Sequence, residues 1–168
     1  MKTLCKSVIT LLVTASITCY AVLIGDFPGL DKAVEQADTI AIIRIDEHIQ
    51  PAPGPNLTTR HRCYVYQTLK GDLKAGERIP IDLMDTRSSF ASTFALFSTH
   101  LVFLSKSGES YRSLHFHGSV LRLPPTGNEK PVEGKTIPAK VRVLLERSVA
   151  YAEKEWKKEK EFLEKAAK

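Results

Sequence analysis

Apolar and polar positions divide the chain into three parts: an apolar leader, a body of short runs, and one long striped segment. Leu30, Ala33, Val34 and Ala37 recur at helical spacing behind Pro28-Gly29, with Asp31 in the first turn, and predict a short helix. Asp38 then opens Thr39–Ile45, a β-branched run that reads as a strand. The segment Pro51-Ala52-Pro53-Gly54-Pro55-Asn56 cannot sustain a ladder and reads as a loop. Arg62–Leu69 is a second strand, Lys70–Glu77 a glycine-punctuated turn region, and Arg78–Leu83 a third strand. Ser88–Ser98 is apolar and low in charge, with Phe90, Phe94 and Phe97 near helical spacing, and reads as an irregular or briefly helical crossing. Leu101–Leu104 is a buried strand, Gly108-Glu109 a turn, Tyr111–His117 a further strand broken by Gly118, and Ser119–Leu123 the last. Five or six short strands at roughly ten-residue spacing predict a small barrel or sandwich.

From Ala139 onward, Val141, Leu144, Leu145, Val149, Ala152, Trp156 and Leu163 form an apolar stripe that thins after Trp156. The stripe predicts one helix of about 28 residues, its first half packed on the barrel and its last turns solvated. No internal repeat or low-complexity segment interrupts this order.

The leader changes the picture of compartment. Lys2 and Lys6 precede the apolar run Val8–Ala15, and Cys19-Tyr20-Ala21 supplies small residues at the first and third positions of a cleavage site. This is the layout of a secretory signal peptide. Three regions are therefore expected: a signal peptide at 1–21, a barrel domain at 22–137 and an amphipathic helix at 138–168. The expected location is extracytoplasmic, secreted or periplasmic. The alternative is a membrane anchor, because the uncharged stretch from Ser7 to Gly25 is 19 residues long and just spans a bilayer.

Charge narrows the partner classes. The net charge of +5 comes from Lys2, Lys6 and the segment 139–168, whereas 22–138 holds 13 basic and 13 acidic residues. A neutral body carries no electrostatic footprint for nucleic acid, so no nucleic-acid partner is expected. Cys5 and Cys19 fall in the leader, and a lone Cys63 in mid-strand is expected to be a buried small hydrophobe.

Three stretches carry a family likeness: Ala37-Asp38-Thr39-Ile40-Ala41-Ile42-Ile43, then Thr68-Leu69-Lys70-Gly71-Asp72-Leu73-Lys74-Ala75-Gly76, then His100-Leu101-Val102-Phe103-Leu104. In that order, residues 30–123 resemble the netrin-like module of tissue inhibitors of metalloproteinases and of many exported bacterial proteins. The resemblance implies a mainly β fold: a five- to six-stranded OB-like barrel with a short N-terminal helix and a long C-terminal one. Inhibitors of that family chelate the protease zinc through an N-terminal cysteine. Here the mature chain would have to begin at Cys19, from a poorer cleavage site at Ser16-Ile17-Thr18, with Cys63 as the only bridging partner. Those three residues are also a poor lipobox, so a membrane contact would need either an uncleaved leader or a lipidated Cys19.

Among chemical candidates, His115 and His117 come first as metal ligands, since residues two apart on a strand share a face and His61 or His100 would supply a third imidazole. The same alternation turns Leu114 and Phe116 inward and both histidines outward, where a solvated pair is the plainer reading. Asp82 reads as an outward strand residue and Asp85 as turn chemistry. Ser88, Ser89 and Ser92 lack a nucleophile-elbow context, and Gly71–Gly76 lacks the Lys-Ser/Thr ending of a phosphate loop. Tyr64, Tyr66, Tyr111 and Phe116 read as barrel core and cross-strand pairs rather than a stacking platform. Trp156, Phe162 and Leu163, near the end of a Lys/Glu helix, are candidate partner-docking residues. The leading expectation is a non-enzymatic, exported binding module with no cofactor, whose partner is another extracytoplasmic protein. The alternatives are a metalloprotease inhibitor acting through its N-terminus and a histidine-based metal-binding protein.

Overall fold

The computed structural model describes residues 28–51, 58–84, 94–116 and 118–166. Their order is α1 (Leu30–Gln36), β1 (Thr39–Pro51), β2 (Thr58–Lys70), β3 (Arg78–Met84), β4 (Thr99–Ser107), β5 (Ser110–Ser113), β6 (Val120–Leu123) and α2 (Ile137–Ala166). β1 pairs antiparallel with both β2 and β4, β2 with β3, and β4 with β5, while β3 and β5 run parallel. The circuit β1-β2-β3-β5-β4 returns to β1 and closes a five-stranded, mixed, OB-like barrel, with β6 added along β4. The fold is mainly β, with the short and the long helix that the hydrophobic pattern predicts.

Strand alternation builds two cores. Ala41, Ile43 and Ile45 of β1, Cys63 and Val65 of β2, Ile81 and Leu83 of β3, and Val102 and Leu104 of β4 fill the barrel. Ile40 and Ile42 of β1 and Leu101 and Phe103 of β4 point the other way, onto Ala33 and Ala37 near α1 and Val141 and Leu144 of α2. Burial on both faces explains why these two strands read as unbroken apolar runs. Thr136 starts α2 by accepting a hydrogen bond from the Ala139 amide through its hydroxyl at 3.3 Å. Only Val141, Leu144 and Ser148 of this helix are buried, and Tyr151 lies beneath the Arg122 guanidinium at 5.6 Å.

The Leu69-Lys70-Gly71 turn ties α1 to the barrel. Leu69 packs in the helix-side core, and the Lys70 ammonium donates to the Val34 carbonyl at 2.8 Å, at the C-terminal end of α1. Gly71 has φ +98°, and a Cβ there would fall against Thr39 Oγ1 and 3.0 Å from the Asp38 carbonyl. Asp72 accepts from the Tyr111 hydroxyl at 2.8 Å and pairs with Lys106, which fixes this turn against β4 and β5.

The structure corrects three readings. β1 continues to Pro51 and β2 begins at Thr58, because the polar residues after Ile45 still pair, through a bulged register. The strand expected over Tyr111–His117 ends at Ser113. There Phe103 donates its amide to the Ser119 carbonyl at 2.8 Å and accepts from the Leu114 amide at 2.9 Å, so one β4 residue spans the whole excursion 114–119. β5 and β6 are thus two halves of one strand beside β4, and Leu114 and Phe116 turn into the helix-side core. Finally, β4 starts at Thr99, two residues earlier than its apolar run.

Candidate functional site

The outward row of β1 changes character along its length. Ile40 and Ile42 lie under the helices, whereas Arg44 and Asp46 face an open part of the barrel wall. Register sets Arg44 beside Tyr64 of β2 and Tyr64 beside Arg78 of β3. Arg44 Nε donates to Asp46 Oδ1 at 2.7 Å, and Arg78 Nε donates to Asp46 Oδ2 at 3.0 Å. Burial works against the Asp46 carboxylate, but the hydrogen bonds from Arg44 and Arg78 outweigh it and hold its pKa below the usual value. The Arg44 guanidinium also lies over Tyr64, Tyr66 and Phe97 at 5.2, 5.7 and 6.0 Å from the ring centroids, and Arg78 lies over Tyr64 at 5.4 Å.

Phe97 is the outlier of this face. It has φ 65°, is 65% exposed, and follows Leu96, itself 47% exposed. Its amide donates to the Ile45 carbonyl at 2.7 Å, and the Ile45 amide donates to the Ser98 carbonyl at 3.0 Å. These bonds hold the turn against β1 and keep a bulky residue in the left-handed region, at a cost of about 1–2 kcal/mol. The face is a fixed arrangement of two guanidinium groups and three aromatic rings, suited to gripping apolar and acidic side chains. Sequence reasoning missed Phe97 and Arg44. Strand parity alone places Arg44, Asp46, Tyr64 and Tyr66 outward, and that signal was there to be read. Tyr64 and Tyr66 are accordingly outside the barrel, correcting their reading as core, with ring centroids 5.2 Å apart. Tyr111 does belong to the barrel core, and Phe116 packs on Phe103 at 5.8 Å.

Beneath this end of the barrel lies a buried polar group. His61 and His100 are each 1% exposed, with Phe94 between them at ring distances of 5.1 and 5.8 Å. His61 Nδ1 is 2.9 Å from His48 Nδ1, and His61 Nε2 has no partner among the described residues. Buried orphan N–H groups are rarer than bare acceptors, so the network assigns the proton to His61 Nδ1, donating to His48. The Ser98 hydroxyl donates to the Ala95 carbonyl, so it accepts from His100 Nε2–H at 2.7 Å and leaves His100 Nδ1 bare. Burial above all, with His48 adding to it, lowers the pKa of His61 to about 4, and burial with Arg122 and His61 lowers that of His100 to about 3. Both rings are neutral members of the core.

The structure therefore keeps His115 apart from the two imidazoles that were to supply a third ligand. His115 is exposed on a bend after β5, outside the barrel, whereas His61 and His100 are buried within it; His117 lies outside the described residues. Among the described residues no three His, Cys, Asp or Glu side chains are grouped to hold a metal ion. Asp82 points outward, as its parity predicts, yet is 3% exposed under Arg60. Asp85 and Ser88, Ser89 and Ser92 lie outside the described residues, as do Cys5 and Cys19. Cys63 is buried, and burial pushes its thiol pKa up, away from reactivity. Trp156, Phe162 and Leu163 are 41%, 69% and 57% exposed along the outer half of α2. No helix among the described residues is long and apolar enough to cross a membrane. The sequence matches no family model and no curated protein.

Proposed function

We propose that this chain is an exported, non-enzymatic binding module whose netrin-like, OB-type barrel engages another extracytoplasmic protein through the Arg44–Tyr64–Phe97 face. The observation that carries the reading is Phe97: a bulky aromatic residue, largely exposed, kept in a costly backbone conformation beside the Arg44 guanidinium, which shares the Asp46 carboxylate with Arg78. Exposed aromatics and arginines on a rigid support are the residues that dominate protein interfaces. The partner segment that fits presents apolar side chains to Leu96 and Phe97 and carboxylates to Arg44 and Arg78.

Phe97→Gly separates recognition from folding. Glycine adopts φ 65° without strain, so the variant is expected to melt at or slightly above the parent temperature. A photo-crosslinking residue placed at Leu96 is expected to trap a discrete partner in the native extracytoplasmic fraction. That adduct should disappear when Phe97→Gly is added. An adduct of undiminished yield in the Phe97→Gly background refutes the reading.

A further inference from the structure

A second row crosses the wall four residues further along β2 and β3, where β3 and β5 run side by side. Register sets Arg60 of β2 beside Asp82 of β3, Asp82 beside Arg112 of β5, and Arg112 beside Ser105 of β4. Asp82 is nearly buried and takes both forks of Arg60, Nε to Oδ1 at 2.7 Å and Nη2 to Oδ2 at 3.0 Å. The pairing raises the Arg60 pKa. Arg112 stands 3.9 Å from the same carboxylate, beyond hydrogen-bonding distance, with its side chain 48% exposed. One guanidinium thus already satisfies Asp82, and the second is held nearby by charge with its N–H donors unused among the described residues.

These groups line an open pocket of about 340 Å³, completed by Ser107 and Ser110 at the ends of the β4–β5 turn and by His115. Apart from Asp82, every polar side chain on the lining can donate a hydrogen bond, and two arginines against one carboxylate leave the pocket with a positive charge. The Arg112 fork, the Ser107 and Ser110 hydroxyls and the His115 imidazole can offer about five donors, more than the roughly four lone-pair sites of a carboxylate. The Ser105 hydroxyl donates to the Arg112 carbonyl. We propose that this pocket binds a small tetrahedral oxyanion, a phosphoryl or sulfuryl group, with Arg112 as its main anchor and Ser107, Ser110 and His115 closing around it. His115 then serves as an anion donor rather than a metal ligand. The site is separate from the Phe97 face and stands or falls independently of it.

The test is a titration of the ¹⁵N-labelled protein with inorganic phosphate, sulfate and acetate at constant ionic strength, followed by NMR. Phosphate or sulfate is expected to give saturable shifts at the Ser107, Ser110, Arg112 and His115 amides, with a Kd of about 1 mM. Saturation by phosphate alone identifies a phosphoryl site, and equal saturation by both identifies a site for either ester. Arg112→Gln is expected to weaken binding by about tenfold or more while the melting temperature holds. The double variant Ser107→Ala, Ser110→Ala, which leaves the Arg60–Asp82 pair intact, is expected to weaken it too. Shifts that fail to saturate, that acetate reproduces, or that survive in both variants overturn the proposal.

Discussion

The two halves of β1 share a strand, a pleat and an inward core, yet their outward faces have opposite fates. Ile40 and Ile42 are covered by α1 and α2, while Arg44 and Asp46 stand half-buried among Tyr64, Tyr66 and Phe97. The covered half is stabilised by removing apolar surface from water. The open half is fixed by charge-assisted hydrogen bonds and cation–π contacts, which contribute less to stability but leave functional groups accessible. A barrel of this size can devote one part of its wall to holding together and another to recognition, and perturbations should sort accordingly.

The largest effect is expected on the covered side. Phe103 is fully buried there, packs on Phe116, and through its backbone joins β5 to β6. Phe103→Ala should lower the unfolding free energy by about 4 kcal/mol in urea denaturation. A loss below about 1 kcal/mol would mean that the helices do not cover this wall.

The next effect comes from the histidines beneath the open end. In the unfolded chain both titrate near 6.5, whereas in the fold His61 protonates near 4 and His100 near 3. Between these values the unfolded state binds more protons, so stability is complete above pH 6.5 and falls as the pH drops through the window. Two such groups lower it by about 2–3 kcal/mol at pH 5.5. Urea midpoints measured from pH 7.5 to 4.5 check this, and His61→Phe should roughly halve the slope. A flat profile would place both imidazoles in water.

This difference between the halves was only partly legible in the sequence. The run Thr39–Ile43 is β-branched but for Ala41 and carries no charge, and Leu101–Leu104 is as continuous, so two-sided burial could be read directly. The Leu69-Lys70-Gly71 turn was equally visible, because only glycine fits at φ +98° against Thr39. Phe97 was not, since apolar spacing marks a phenylalanine as core and nothing local announces a left-handed turn at a non-glycine residue. The strand drawn through His115 failed for a related reason. Alternation persists through Leu114 and Phe116, but backbone pairing stops at Ser113 because Phe103 uses both of its polar groups at the two ends of the excursion. The Arg60–Asp82–Arg112 row joins residues from three strands, and no spacing along one strand encodes it.

The smallest effect is expected where the helical cover itself runs out. α2 continues to Ala166, but its buried residues end at Ser148, and Trp156, Phe162 and Leu163 beyond it are 41%, 69% and 57% exposed. A helical extension of this length is supported mainly by its own backbone and by pairs such as Glu155–Lys158, so it adds helix without adding cover. A chain ending at Tyr151 should therefore lose helical circular dichroism yet melt within about 3 °C of the parent. If instead the melting temperature falls by about 10 °C or more, Trp156, Phe162 and Leu163 belong to the cover, and the boundary between the covered and open walls must be redrawn. If stability holds while partner capture at Leu96 also holds, the exposed end of α2 is dispensable to recognition, and the Phe97 face carries it alone.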